Sequence, residues 1–212
     1  MSYFMELVET TDKDRRAFEG LPKVLRMSAH GLSLPEYLDF LHDLYHIVWH
    51  FCPVMATAAG RCGDDFRQVR LALYDDIREE QGHDEWVLED IKALGGDALA
   101  AQAEPPCVPV QAMIAYNYYA SERVHPCAVL GMIYVLEVVS SVYGGPVATS
   151  IAKAIGISED RGFKFLTSHA SMDVHHMAKL QELLKTLKDK AAQTAIINAA
   201  KANFYLLGRM LS

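Results

Sequence analysis

Apolar residues recur at spacings of three and four along most of the chain, and alternating strand-like runs bounded by turns are nearly missing. This periodicity predicts an all-α chain, a bundle of seven to eight helices. The stretches run about Asp12 to Met27, Pro35 to Ala59, Asp64 to Leu94, Val110 to Val124, Pro126 to Val142, Pro146 to Ile155, Ser158 to Leu187 and Lys188 to Leu211. Their ends carry punctuation. Ser33, with Pro35 near the first turn and Glu36 three residues on, reads as a capping box for the second stretch. Gly95-Gly96 stops the third, and a loop with Pro105, Pro106 and Pro109 follows. Gly144-Gly145-Pro146 is expected to separate the fifth stretch from the sixth. No repeat, low-complexity tract or long linker divides the chain, so a single helical domain over residues 1–212 is expected.

Composition narrows the picture. With 212 residues, 51% of them apolar and 22% charged, the chain can bury a full core. Twenty Lys and Arg against 27 Asp and Glu give a formal charge of -7, which offers nucleic acid no counterion-release attraction. From Pro126 to Ala152 the only charged side chain is Glu137, but Ser140, Ser141 and the Gly-Gly-Pro sequence favour a buried core helix over a membrane span. The first residues lack the basic-then-apolar order of a secretion signal, so a cytoplasmic location is expected. Cys52, Cys62, Cys107 and Cys127 form no Cys-x-x-Cys pair, which argues against a zinc ribbon or a disulfide framework.

Candidate chemistry lies on several of these stretches. At ~100° per residue, His169, Asp173 and His176 fall within about 60° of one another on a helix, an edge of metal-binding side chains from which His175 points away. A solvated polar stripe would have the same spacing. Asp76, Glu80 and His83 repeat the four-then-three pattern, and Glu80-x-x-His83 is the pairing used in carboxylate-bridged diiron sites. Glu79, Asp84 and Glu85 read as a solvated acidic face. Glu137 stands in an otherwise apolar helix, where an ionised carboxylate is costly unless paired, hydrogen-bonded or metal-bound.

The second stretch adds His42, His46 and His50, of which His46 is favoured as a ligand, an outer partner or a proton relay. Glu122-x-x-His125 offers a ferritin-like alternative, but Pro126 disfavours helical geometry at His125, and the His169 edge would lose its role. Carboxylates and imidazoles without thiolate suit non-haem iron, or manganese, better than structural zinc. Glu80, His83, Glu137, His169, Asp173 and His176 suffice for two ions with positions left for oxygen and substrate. The chain has no Walker, Rossmann or Gly-x-Ser-x-Gly sequence.

The order Glu-x-x-His, then a lone Glu in an apolar helix, then His-x3-Asp-x2-His resembles the haem-oxygenase-like diiron oxidases and oxygenases, over about Leu34 to Leu187. Tyr45-His46-Ile47-Val48-Trp49-His50 and Glu79-Glu80-Gln81-Gly82-His83 look like the iron-containing redox enzyme branch of that superfamily. The His-x3-Asp-x2-His element is similar to that of CADD-type para-aminobenzoate synthases; TenA-type thiaminases and the pyrroloquinoline-quinone biosynthesis oxidase are related. The resemblance implies a haem-oxygenase-like (TenA-like) bundle with two non-haem irons on the six side chains above. It further implies O2 and an external reductant, a small substrate such as an amino-acid, amine or fatty-acid derivative, and a homodimer. Tyr45 and His46 are the residues to tune the metal or relay protons.

The chain departs from the synthases in having Asp76 where they carry Glu, and Pro22 and Val147 where they carry their sacrificed Tyr and a Lys. Para-aminobenzoate synthesis is therefore not expected. The rival readings are a metal-free TenA-type thiaminase-like hydrolase with a nucleophilic Cys, a haem-binding oxygenase with His46 as axial ligand, and a non-enzymatic interaction protein with an exposed apolar patch. Neither nucleic acid nor membrane is an expected partner.

Overall fold

Ser2 accepts the Met5 amide and starts α1 (Tyr3–Glu19) in the computed structural model of this chain, which describes residues 2–212. Gly20-Leu21-Pro22 then divides what periodicity reads as one helix, because Pro22 has no amide hydrogen to carry α1 onward and instead opens α2 (Pro22–His30). At Ser33 the expected capping box forms: the Ser33 amide and hydroxyl donate to Glu36 Oε2 at 2.9 and 2.7 Å, and α3 runs Leu34–Arg61.

The expected third helix is in fact a short turn at Asp64–Phe66 followed by α4 (Arg67–Glu80) and α5 (His83–Ala93). The break falls at Gln81-Gly82, where Gly82 takes φ +88, a left-handed conformation that glycine adopts without steric cost. Asp97 caps a short α6 (Ala98–Ala103) inside the stretch read as loop. α7 (Val108–Tyr119) ends in a wider π turn, Ala120–Val124, and His125 is extended before Pro126, as the residue before a proline tends to be.

α8 (Val129–Ile155) runs unbroken through Gly144-Gly145-Pro146, against the sequence expectation. Packing overrides propensity there. The bare Gly144 lets α8 approach α9 (Lys164–Thr186) so closely that an added Cβ would stand 3.0 Å from the Leu166 carbonyl, while Val142, whose carbonyl Pro146 cannot serve, lies on the exposed face. Among the described residues this is the one helix long and apolar enough to cross a bilayer, and 61% of its apolar window is buried, as in the core helix expected. α10 (Lys190–Met210) packs on its other side, where Gly131 meets the Ile196 carbonyl.

Two buried polar devices lock this frame. Asn117 and Asn203 exchange amide hydrogen bonds of 2.8 and 2.9 Å between α7 and α10. Asp90 on α5 accepts the amides of Lys164 and Phe165 at 2.8 and 2.9 Å, tying the start of α9 to α5. The second clamp sets His169 on α9 in register with His83 on α5. The architecture is all-α, with no strand among the described residues.

Candidate metal centre

Four helices converge on one buried group of acids and imidazoles: α4 supplies Glu80, α5 His83, α8 Glu137, and α9 His169, Asp173 and His176. Asp76, Glu80 and His83 do not share one continuous helix, because α4 ends at Glu80. The turn at Gly82 nevertheless brings His83 Nδ1 to 2.9 Å from Glu80 Oε2. His169 Nε2 lies 3.1 Å from His83 Nδ1 and 3.8 Å from Glu80 Oε2. On the opposite side, His176 Nδ1 stands 3.3 Å from both Glu80 Oε1 and Glu137 Oε1. Glu80 therefore belongs to two groups, one with His83 and His169, the other with Glu137 and His176. Asp173 Oδ1 lies between the imidazoles, 3.2 Å from His169 Nδ1 and 3.5 Å from His176 Nδ1.

Burial makes this concentration of charge consequential. Desolvation pushes the Glu137 carboxyl up to about 8. Hydrogen bonding to Asp173 and then Glu137 raises His176 to about 11. Burial alone would raise Asp173 as well, but hydrogen bonds from His169 and His176 take it below its ordinary value. Glu80 Oε1 and Glu137 Oε2 are buried without a hydrogen-bond donor. Orphaned buried carboxylate oxygens beside imidazole nitrogens are what a divalent cation would satisfy, and the oxygen and nitrogen donors fit iron or manganese.

Two cavities meet at Glu80, Glu137 and Phe51. One, of about 150 Å³, is walled by apolar side chains such as Phe40, Leu44, Val139 and Phe165, with Glu80, Glu137, Ser140, His169 and Asp173 at its polar wall. The other, of about 440 Å³, is lined by Asp75, Asp76, Arg78, Glu79, His176 and Lys179. Asp76 sits in this polar chamber outside both groups, its carboxyl raised to about 6 by burial.

The remaining candidates lie elsewhere. His46 Nε2 is 2.9 Å from the Glu104 carbonyl, and the buried Tyr45 ring packs against His46; neither lines either of these two cavities or joins the acid–imidazole group. His46 thus faces the loop before α7, and Tyr45 is part of the hydrophobic core. His42 also faces the Glu104 carbonyl, and His50 faces the Tyr118 hydroxyl. His175 and Glu122 are exposed, and His125 accepts the Cys127 amide, so the ferritin-like alternative does not assemble.

Sequence reasoning missed Glu79, read as a solvated acid: its Oε2 lies 3.2 Å from His176 Nε2, and Lys179 Nζ is 2.6 Å from each of its oxygens. The three-residue step from His176 to Lys179 was visible on α9; the facing acid on α4 was not. The flanking rings were missed too, with Trp86 stacked on His83 at 3.9 Å and Phe165 on His169 at 4.2 Å between centroids.

The family model described as iron-containing redox enzyme matches residues 38–207. No curated protein matches the sequence. Among solved structures, a domain of unknown function with a haem-oxygenase-like fold from Shewanella denitrificans superposes with a TM-score of 0.87 at 20% identity, over 100% of this chain and 90% of that one. A TenA homologue from Pseudomonas syringae gives 0.80 at 16% identity over 99% and 90% of the two chains. The haem oxygenase of Leptospira interrogans gives 0.77 at 19% identity over 100% and 99%. The shared fold is the haem-oxygenase-like, TenA-like helical bundle expected from the sequence.

Proposed function

Because this chain belongs to the iron-containing redox enzyme family, we propose that it is a non-haem diiron oxidase or oxygenase that uses O2 to oxidise a small organic substrate. The observation that carries this reading is the double membership of Glu80, whose two oxygens face different imidazoles and so suit a carboxylate shared by two ions. Glu80, His83 and His169 would hold one ion and Glu80, Glu137 and His176 the other, with Asp173, between His169 and His176, available to complete the set. Bound iron supplies the electrons and the open coordination positions that O2 chemistry needs.

The chain's own residues supply the rest. The apolar cavity accepts the nonpolar part of the substrate and keeps water from the reacting atoms, while its polar wall orients the bond to be oxidised toward Glu80 and Glu137. An apolar wall of this extent supports a substrate with a hydrocarbon portion, among the amino-acid, amine and fatty-acid derivatives considered. The polar chamber beside Asp76, Glu79 and Lys179 gives water and protons a separate approach. An external reductant completes the electron balance.

The rivals are less well supported. A thiaminase-like hydrolase needs an activated thiol, yet burial raises Cys52 and Cys107 to about 11 and Cys127 to about 12 and raises Cys62 as well; none of the four lines either cavity. A haem ligand at His46 would have to leave the Glu104 carbonyl.

Elemental analysis after anaerobic ferrous loading, followed by exposure to O2, tests the reading. Two irons per chain and a transient absorption on oxygen exposure are expected. Glu137→Ala and His169→Ala should abolish full loading, whereas His175→Ala should not. Stoichiometric haem with no affinity for ferrous ion would overturn it.

A further inference from the structure

The two outer histidines present opposite nitrogens to their shared carboxylate. His169 turns Nε2 toward Glu80 and Nδ1 toward Asp173, whereas His176 turns Nδ1 toward Glu80 and Glu137. A neutral imidazole carries one N–H and ligates through the other nitrogen, so each ring needs a hydrogen-bond acceptor on its far side to fix which nitrogen is free. For His169 that acceptor is Asp173. For His176 the far nitrogen, Nε2, meets Glu79 Oε2 at 3.2 Å.

Glu79 is itself immobilised. Lys179, one helical step beyond His176 on the same face of α9, places Nζ 2.6 Å from both Glu79 oxygens. Salt bridges between half-exposed partners contribute little to stability. This one, however, joins the ends of a relay that terminates on an imidazole at the buried acid–imidazole group.

We propose that Glu79, anchored by Lys179, is a positioning residue that keeps the proton of His176 on Nε2 and so directs Nδ1 to the metal ion. The inference rests on the diiron reading above, and assigns that site an outer carboxylate the ligand set does not include. Partners of this kind orient metal-bound histidines, and their loss weakens metal binding about 10- to 100-fold.

Zinc, added alone to metal-free protein, is the probe, with affinity read by chelator competition and the His176 protonation pattern by long-range 1H–15N correlation on labelled protein. Wild type should show a protonated Nε2 and a metal-bound Nδ1 at His176. Glu79→Leu should lose about 10- to 100-fold in affinity at the His176 group while the His83–His169 group, an internal control for folding, keeps its zinc. Glu79→Gln, whose amide oxygen still accepts from Nε2, should restore most of that affinity, and Lys179→Met should give an intermediate loss.

The inference is overturned if Glu79→Leu matches wild type in affinity and His176 pattern, or if Glu79→Gln loses as much as Glu79→Leu. Failure of wild type to take up zinc, manganese or iron would overturn the diiron reading itself. Normal wild-type loading with an unaffected Glu79→Leu variant would remove only the role of Glu79.

Discussion

Glu80 Oε2 lies 2.9 Å from His83 Nδ1 although one helix ends at Glu80 and the next begins at His83. The contact is made by the turn between them, not by helical periodicity. Gly82, at φ +88, interrupts the helical backbone between α4 and α5, and across that turn the first side chain of α5 still meets the last one of α4. Glu80 is thereby free to face α9 with its other oxygen.

Gly82→Ala tests this turn. An added Cβ at Gly82 meets no atom within 4 Å, so the cost is confined to the backbone. A left-handed non-glycine residue costs roughly 1–2 kcal/mol, and urea unfolding should show a loss of that size. Metal affinity should fall at the His83–His169 group and hold at the His176 group. Unchanged stability would mean that the turn tolerates a side chain and does not set the position of His83.

Much of this site was legible in the sequence, and the reasons differ from residue to residue. His169, Asp173 and His176 were readable because α9 is continuous, so spacing converts directly into a shared face. Glu137 was readable because an acid amid Val and Leu has few inexpensive explanations. Glu80 and His83 were paired correctly but on a false premise, since a positive-φ glycine can reproduce an i,i+3 contact without a helix. Glu79 was not legible, because its meaning depends on a partner 100 residues away on a helix whose approach is set by packing. The unbroken α8 was missed for a related reason: Pro146 punctuates a chain in isolation, but contact with α9 and α10 carries the helix through it. Tyr45 and His46 lie apart because a histidine at helical spacing names a face without naming what the face meets.

The shared position of Glu80 sets an order among ligand variants. Glu80→Ala removes an oxygen from each group and should reduce metal content well below that of either single-group variant. His83→Ala and His176→Ala should each retain one ion. Metal per chain, by elemental analysis after loading with manganese and desalting, distinguishes these outcomes. Equal content in the Glu80→Ala and His83→Ala proteins would refute the idea of a shared carboxylate.

Asp90 should matter for stability more than its distance from the candidate ligands suggests. Its buried carboxylate accepts two α9 amides, and hydrogen bonds to a charged group contribute about 1.5–3 kcal/mol each. Asp90→Ala leaves both amides without that acceptor, so a loss of about 3 kcal/mol is expected in urea unfolding; Asp90→Asn, which keeps one acceptor oxygen, should lose about half as much. A loss under about 1 kcal/mol for Asp90→Ala would mean that water replaces the carboxylate and that α9 is held by its apolar face alone.

Metal-free protein should become less stable as the solution turns alkaline. Burial raises the Glu137 carboxyl from 4.5 to about 8, and hydrogen bonding to Asp173 and Glu137 raises His176 from 6.5 to about 11. Both folded values exceed the unfolded ones, so the native state holds protons that the unfolded chain releases. Their stabilisation is complete below the unfolded values and is lost as pH climbs through the folded ones. His46, His50 and His125, lowered mainly by burial, act in the opposite sense, but that effect is complete once pH passes their ordinary value of 6.5. Between about pH 7 and about pH 9 the decline from Glu137 and His176 should therefore dominate. Manganese would substitute its positive charge for the lost protons and flatten the decline. Calorimetric Tm values of chelator-treated and manganese-loaded protein across this range test the point, and Glu137→Gln should remove part of the slope in the metal-free protein. A metal-free Tm that stays level or rises over the same range would show that the buried acid–imidazole group is hydrated well enough to ionise without cost.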